Sequence, residues 1–426
     1  MTIHQIPNVI FIILFALLYS GCELQSSADE DRHDGEIFER RELPRALSSE
    51  ESTLVYGAGT FGFDLIHNLL KNNPDESHLV SPLSILMAYG MTLNGAGGDT
   101  RSQIEEVFGL HEMTRDEINE ASLDLIDLLI NFDDYVRFNI ANSIWYRDSF
   151  EVEQEFLDIN SHYFDAVIEA ADFDDPDTVI RINEWVNEKT EGLIEEIVEG
   201  PIDPLTMLYL INTIYFNGEW TVQFDPGNTE TQPFHKPDGS AVDAEMMRLD
   251  FVQNMEYTSG EGYEAINLYY GDAGYVMTLV LPDEGTNLAE WVQNLTWNDW
   301  KILTENFSRV TLNLEMPKFE MEYEIDKFAD VLQNMGIVDA FDDSLSDFSG
   351  INPGQDDLHI NETRHKTFIR VDEAGTEAGA ATSVGIGIVS LPPTIDLRFD
   401  RPFFHVIREI ESGTILFMGT MTNPAE

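Results

Sequence analysis

Residues 373–382 read E-A-G-T-E-A-G-A-A-T and run on through S-V-G-I-G-I-V into S-L-P-P. Side chains this small fill no core, yet the run is too apolar for an ordinary surface loop. A backbone of this kind suits two environments: extended in solvent, or paired as a strand whose alternate residues face opposite sides of a sheet. The sequence therefore predicts a mobile segment, and the fold has to offer it both.

The chain has 426 residues, enough for two or three average domains. No Pro/Ser/Gly-rich linker divides it after residue 50, so one large domain is expected. Hydrophobic residues make up 43% and include 26 Phe, ample for a sizeable core. Acidic residues outnumber basic ones 79 to 23, for a formal net charge of -56. Such a surface repels phosphate backbones and anionic headgroups, which argues against nucleic-acid, heparin-like and lipid-surface partners. The stretch from Glu112 to Asp134 is itself acidic.

The N-terminus carries an export address. Val9 to Leu18 form an apolar run too short to span a bilayer, closed by the small residues Ser20 and Gly21 before Cys22. Cys22 is the single cysteine, so no disulfide framework exists. Its position resembles a bacterial lipoprotein processing site, which would make Cys22 the lipid attachment point and the only membrane link. The alternative is simple secretion. Residues 1–21 are thus expected to be a signal peptide, and 22–51 an acidic disordered tether too poor in apolar anchors to offset its ordering entropy. Residues 52–426 are expected to form the folded domain.

Within that domain, Phe61, Leu65, Ile66, Leu69 and Leu70 recur at helical spacing, and the helix should end near Asn72. Ser81-Pro82 opens a second helix that closes at Asn94 to Gly98. Ile182, Trp185, Val186 and Leu193 predict a surface helix between Asp177 and Val198, and helices should dominate this half. Strand-length runs follow at Leu208–Phe216, Tyr275–Leu281, Val310–Glu315, Lys366–Val371 and Phe403–Glu409. Several are apolar on both faces, as in a sheet covered on each side. Helices followed by strands predict an α+β fold.

Taken together, the ordered segments resemble the serpin family of suicide-substrate serine protease inhibitors. They are V-S-P-L-S-I from Val80, N-G-A-G-G-D-T from Asn94, L-I-N-T-I-Y-F-N-G-E-W from Leu210, M-P-K-F from Met316 and V-D-E-A-G-T-E-A-G-A-A-T from Val371. F-D-R-P-F-F-H-V-I-R from Phe399 and F-M-G-T-M-T-N-P from Phe417 complete the set. The resemblance spans about Ser52 to Pro424. It implies three β-sheets, eight or nine helices and an exposed reactive-centre loop.

It also implies roles. After cleavage by a protease, the hinge formed by Glu373, Gly375, Thr376, Glu377, Ala378, Gly379, Ala380, Ala381 and Thr382 inserts as a new strand into the main sheet. Thr376, Ala378, Ala380 and Thr382 would line one face with no proline or bulky charge to block them. From Thr376 to Val389, about fourteen residues at roughly one backbone hydrogen bond each would gain on the order of 10 kcal/mol. They would carry the acylated protease ~45 Å. With the family's usual hinge length, the scissile bond falls at Val389-Ser390. Val389 suits the small apolar S1 pocket of an elastase-like serine protease, and a monomer that needs no cofactor is expected.

Ser81, Ser84, Asn212 and His365 match the family's shutter, a hydrogen-bonded cluster beneath the strands that must part. Lys318, Glu373 and Trp220 match its breach, where the hinge enters. The alternative reading is a non-inhibitory binding or structural protein on the same scaffold. An enzyme is not expected: no G-x-S-x-G, H-E-x-x-H or P-loop accompanies Ser81 and His365, and no metal site is read from the sequence.

Overall fold

The computed structural model describes residues 40–130, 132–355, 357–376 and 394–425. Nine α-helices lie among the described residues: α1 (Ser49–Asn72), α2 (Pro82–Leu93), α3 (Gly98–Val107), α4 (Arg115–Ile130), α5 (Gln154–Tyr163), α6 (Pro176–Lys189), α7 (Leu288–Gln293), α8 (Trp297–Glu305) and α9 (Phe328–Met335). The strands β1 (His78–Val80), β2 (Val136–Arg147), β3 (Val167–Ala171), β4 (Leu208–Glu219) and β5 (Glu230–His235) come first. Next are β6 (Ala241–Gly260), β7 (Tyr263–Tyr270), β8 (Tyr275–Pro282), β9 (Ser308–Pro317) and β10 (Phe319–Glu324). Last are β11 (Lys366–Val371), β12 (Gly375–Thr376), β13 (Thr394–Arg398), β14 (Phe403–Glu409) and β15 (Ile415–Met421). The α+β fold is as expected, and all five expected strands are present.

A six-stranded sheet has the order β10-β11-β12-β4-β2-β3. Its centre is the long antiparallel pair of β4 and β2, from Tyr146↔Leu208 to Val136↔Gly218. Side chains of this pair alternate between two cores: Phe138, Ile144, Ile214 and Phe216 face the main one. Trp145 and Ile211 join Ile182 and Val186 of α6 in a second. The sheet is thus covered on each side.

The second sheet has the order β1-β15-β14-β8-β7-β6-β9-β13, with β5 on β6. Two of the three sheets implied by the resemblance run together here, because β6 is twenty residues long and serves both. Two β-bulges against β9, between Leu249 and Val252 and between Val252 and Met255, let it turn from one to the other.

Three boundaries differ from expectation. β2 and β3 lie in the half expected to be helical. Helix α6 stops at Lys189, because Glu191 and Gly192 take positive φ values of 54° and 89°, so Leu193 lies past the helix rather than on its stripe. The domain also begins before residue 52. Helix α1 starts at Ser49, with a capping box between Ser48 and Glu51. Upstream, Arg45 makes two hydrogen bonds to buried Glu51 at 2.7 and 2.6 Å, and Arg41 pairs with Asp272 at 3.0 Å. These ion pairs order a segment whose composition reads as tether.

Candidate functional site

Strand β11 ends at Val371, and the chain reverses within four residues. The Asp372 carboxylate accepts the N–H groups of Ala374 at 2.9 Å and Gly375 at 3.2 Å, a local turn of the kind Asp favours. Residues just past β4 hold the turn. Trp220 N–H donates to Ala374 O at 2.8 Å and Phe224 N–H to Glu373 O at 2.9 Å. The Trp220 indole donates to Asp372 O at 2.9 Å.

The turn delivers Gly375 and Thr376 into the sheet as β12. Thr376 pairs with Val371 of β11 and Gly218 of β4, and Gly375 with Glu219 of β4. Gly375 has to be glycine: a Cβ there would lie 2.1 Å from Gly218 O. Thr376 is buried, and its hydroxyl shares a 2.7 Å hydrogen bond with Tyr270 OH. Burial pushes that phenol's pKa well up, so it stays a neutral partner. Tyr270 in turn stacks on Trp220, with centroids 4.4 Å apart and planes at 16°. Thr376 therefore faces inward, as the alternation of the hinge requires.

Beside the turn, Lys318 Nζ lies 2.8 Å from Glu373 Oε2, and Thr229 Oγ1 donates to Glu373 Oε1 at 2.7 Å. Burial alone would raise the Glu373 carboxyl, but these hydrogen bonds outweigh it and hold it below the usual range. The breach residues Lys318, Glu373 and Trp220 thus converge on the entrance of β12.

Below Thr376, no ladder pairing among the described residues joins β4 directly to β11. A cavity of about 130 Å³ opens toward this seam, with Tyr89, Ile211, Asn212, Ile360 and His365 among its lining residues. At the end of the cavity nearest β12 the N-terminus of α2 ties the two strands. The Ser81 N–H donates to His365 Nε2 at 3.0 Å, Ser84 N–H to Ser81 Oγ at 3.3 Å, and Ser84 Oγ to Asn212 Oδ1. Asn212 Nδ2 continues to Asn142 Oδ1 at 2.7 Å, and Asn142 Nδ2 to Phe164 O at 2.7 Å. Burial pushes the His365 pKa down to about 3, so the ring is neutral and accepts. Because His365 meets the Ser81 amide while Ser81 Oγ accepts from Ser84, the two are not arranged as base and nucleophile.

All four shutter residues and all three breach residues are therefore in contact clusters. Sequence reading missed Asn142, Thr229 and Tyr270. Their local patterns are those of ordinary strand and loop residues, and only contacts across 70, 144 and 106 positions reveal them. Glu377, Ala378, Gly379, Ala380, Ala381, Thr382, the Val389-Ser390 bond and Cys22 lie outside the described residues, as does the leader.

The family model "Serpin (serine protease inhibitor)" matches residues 57–424. An uncharacterised serpin-like protein of Methanosarcina acetivorans is 31% identical over 428 residues, spanning 100% of this chain and 99% of that one. Mouse antithrombin-III is 33% identical over 401 residues, 90% of this chain and 84% of that one. Among solved structures, the thermophilic serpin Tengpin in its native state superposes with a TM-score of 0.79 at 31% identity, covering 89% of this chain and 95% of that one. The chain belongs to the serpin family. Its fold is that of a protease inhibitor, not an enzyme.

Proposed function

We propose that this protein is a suicide-substrate inhibitor of elastase-like serine endopeptidases. It would be cleaved at Val389-Ser390 and trap the enzyme by drawing the hinge into the six-stranded sheet. The observation that carries the reading is β12: Gly375 and Thr376 of the hinge sit between β11 and β4, the only ladder link between those strands among the described residues. Continuing the strand would extend a ladder already begun, in the direction of the shutter and of the cavity beyond it.

The chemistry of the segment agrees. Thr376 occupies an inward position that accepts a small polar side chain through Tyr270, and Ala378, Ala380 and Thr382 are as small. Val389, with Ile386 and Ile388 before it, offers an aliphatic surface and no Arg or Lys for a trypsin-like pocket. The leader supports export, with Cys22 as a lipid anchor or the chain released from the cell.

Incubation with pancreatic elastase should give a denaturant-resistant covalent complex and a released C-terminal fragment whose mass begins at Ser390. Thr376→Arg, which puts a guanidinium where Tyr270 and Trp220 are packed, should be cleaved at the same bond without forming the complex. Retained trapping by T376R, or a fragment with another start, would contradict the reading.

A further inference from the structure

Leu205 is the most exposed large hydrophobic side chain among the described residues, at 71%. A single exposed leucine is ordinary, but the presentation and position of this one are not. It belongs to a short turn, Asp203-Pro204-Leu205, just ahead of β4. The Asp203 carboxylate accepts the Leu205 N–H at 2.8 Å, and the Asp203 carbonyl accepts the Thr206 N–H at 2.9 Å. Asp and Pro both pre-set a turn of this kind. The leucine is therefore displayed on a fixed backbone.

The strand register supplies the partner. Gly375 and Thr376 pair with Glu219 and Gly218 in the antiparallel sense, so each step forward along the hinge matches one step back along β4. Thirteen steps beyond Thr376 reach Val389, and thirteen steps back from Gly218 reach Leu205. Against β11, the same count back from Val371 ends at Leu358. The chain ahead of β4 already keeps this course. Arg147 N–H of β2 donates to Met207 O at 2.9 Å, and Arg147 Nε to Thr206 O at 3.4 Å. The cavity beyond the shutter has residues 206–212 and 358–365 in its walls, so an inserted strand would bring Val389 to the end of the slot farthest from β12. Directly opposite residues share a face of the sheet and stand ~5 Å apart. Leu205 would then lie beside the residue that carries the enzyme.

We propose that Leu205 is a docking contact for the acylated protease at the end of its transit, made only in the trapped complex and absent before the loop is cut. This rests on the inhibitory reading above and concerns the lifetime of the trap rather than its formation. The enzyme is held by an ester between the Val389 carbonyl carbon and its serine Oγ. Release requires water to attack that carbon, break the C–O bond, return a proton to Oγ and leave a Val389 carboxylate. Because the ester makes the contact intramolecular, the leucine meets the enzyme at an effective concentration of roughly millimolar. A contact too weak to bind free enzyme then opposes withdrawal of the strand's last residues, which would return slack to the enzyme's active site.

The test uses the full-length protein with pancreatic elastase. It measures the association rate constant, the rate at which active elastase leaves the isolated covalent complex, and the unfolding temperature of the cleaved protein left after release. Leu205→Ser removes the apolar surface, while Leu205→Met keeps it. L205S should associate at the wild-type rate and release elastase about tenfold faster, the scale of burying one leucine in part. Its cleaved form should unfold at the wild-type temperature, and L205M should match wild type throughout. An unchanged release rate for L205S overturns the proposal alone, as does faster release shared by L205M. Faster release with a lower unfolding temperature also overturns it, by assigning Leu205 to the packing of the inserted strand. A wild-type chain that forms no complex overturns this proposal and the inhibitory reading together.

Discussion

Gly375 controls whether the hinge can begin to pair, because the β4 carbonyl at Gly218 leaves no room for a methyl group. The Gly218 backbone cannot retreat easily, since it is also paired with Val136 of β2. Gly375→Ala should therefore expel β12 and raise the moles of inhibitor consumed per mole of elastase inactivated. An unchanged ratio would show that β12 has no part in trapping.

The buried histidines make a second prediction at this scale. His365 is depressed to about 3, His405 to about 3 and His78 to about 4, each mainly by burial. A base whose folded pKa lies below its unfolded value of about 6.5 binds fewer protons when folded. Its contribution is intact above about pH 6.5 and is lost as pH falls toward 3 to 4. At pH 5 each such histidine costs about 2 kcal/mol, so unfolding temperature should fall steeply between pH 7 and 4. His365→Gln, which keeps an acceptor for Ser81 N–H, should flatten that slope by one histidine's share. An unaltered slope would remove His365 from the set.

Among the elements, the segment before α1 is the least expected stabiliser. Arg45 satisfies the carboxylate of Glu51, which is 1% exposed and also accepts the Ser48 N–H. Losing the charged hydrogen bonds of Arg45 should cost about 2 kcal/mol. A chain starting at Arg40 should match the full protein, and one starting at Ser48 should unfold about 2–3 °C lower. Equal unfolding temperatures would mean that the segment rests on the domain without supporting it.

This segment also marks the limit of what the sequence reveals. β4, β8, β9, β11 and β14 read as strands because each is a strand-length run of β-branched and aromatic residues, and β8 and β14 are buried on both faces. β2 was hidden by its polar residues: Asn139 is exposed, Ser143 Oγ accepts the Trp145 indole two residues on, and Asn142 is explained only by Asn212 and Phe164 from other segments. Residues 40–47 read as solvent-exposed because their partners, Asp272, Glu256 and Glu51, are distant or behind them in the sequence. The shutter and breach were legible through motif order. The partners of those motifs, Tyr270, Thr229 and Asn142, were not.

For the molecule as a whole, the chain carries a formal net charge of -56. Self-repulsion of that size should make stability rise with salt as the Debye length shrinks from ~30 Å at 0.01 M to ~8 Å at 0.15 M. Thermal unfolding in 10 and 150 mM NaCl would show it, and an unfolding temperature independent of salt would place the acidic groups too far apart to interact.

The central claim is that β12 is the first step of a strand that completes itself once the loop is cut. The most direct test is the unfolding temperature of the protein before and after cleavage at Val389-Ser390. A gain of about 10 kcal/mol, over an unfolding entropy of roughly 0.8 kcal/mol/K for a domain of this size, predicts a rise of ~13 °C. T376R, cleaved at the same bond, should show little of it. A wild-type protein whose cleaved form unfolds at the same temperature as the intact one would contradict the account.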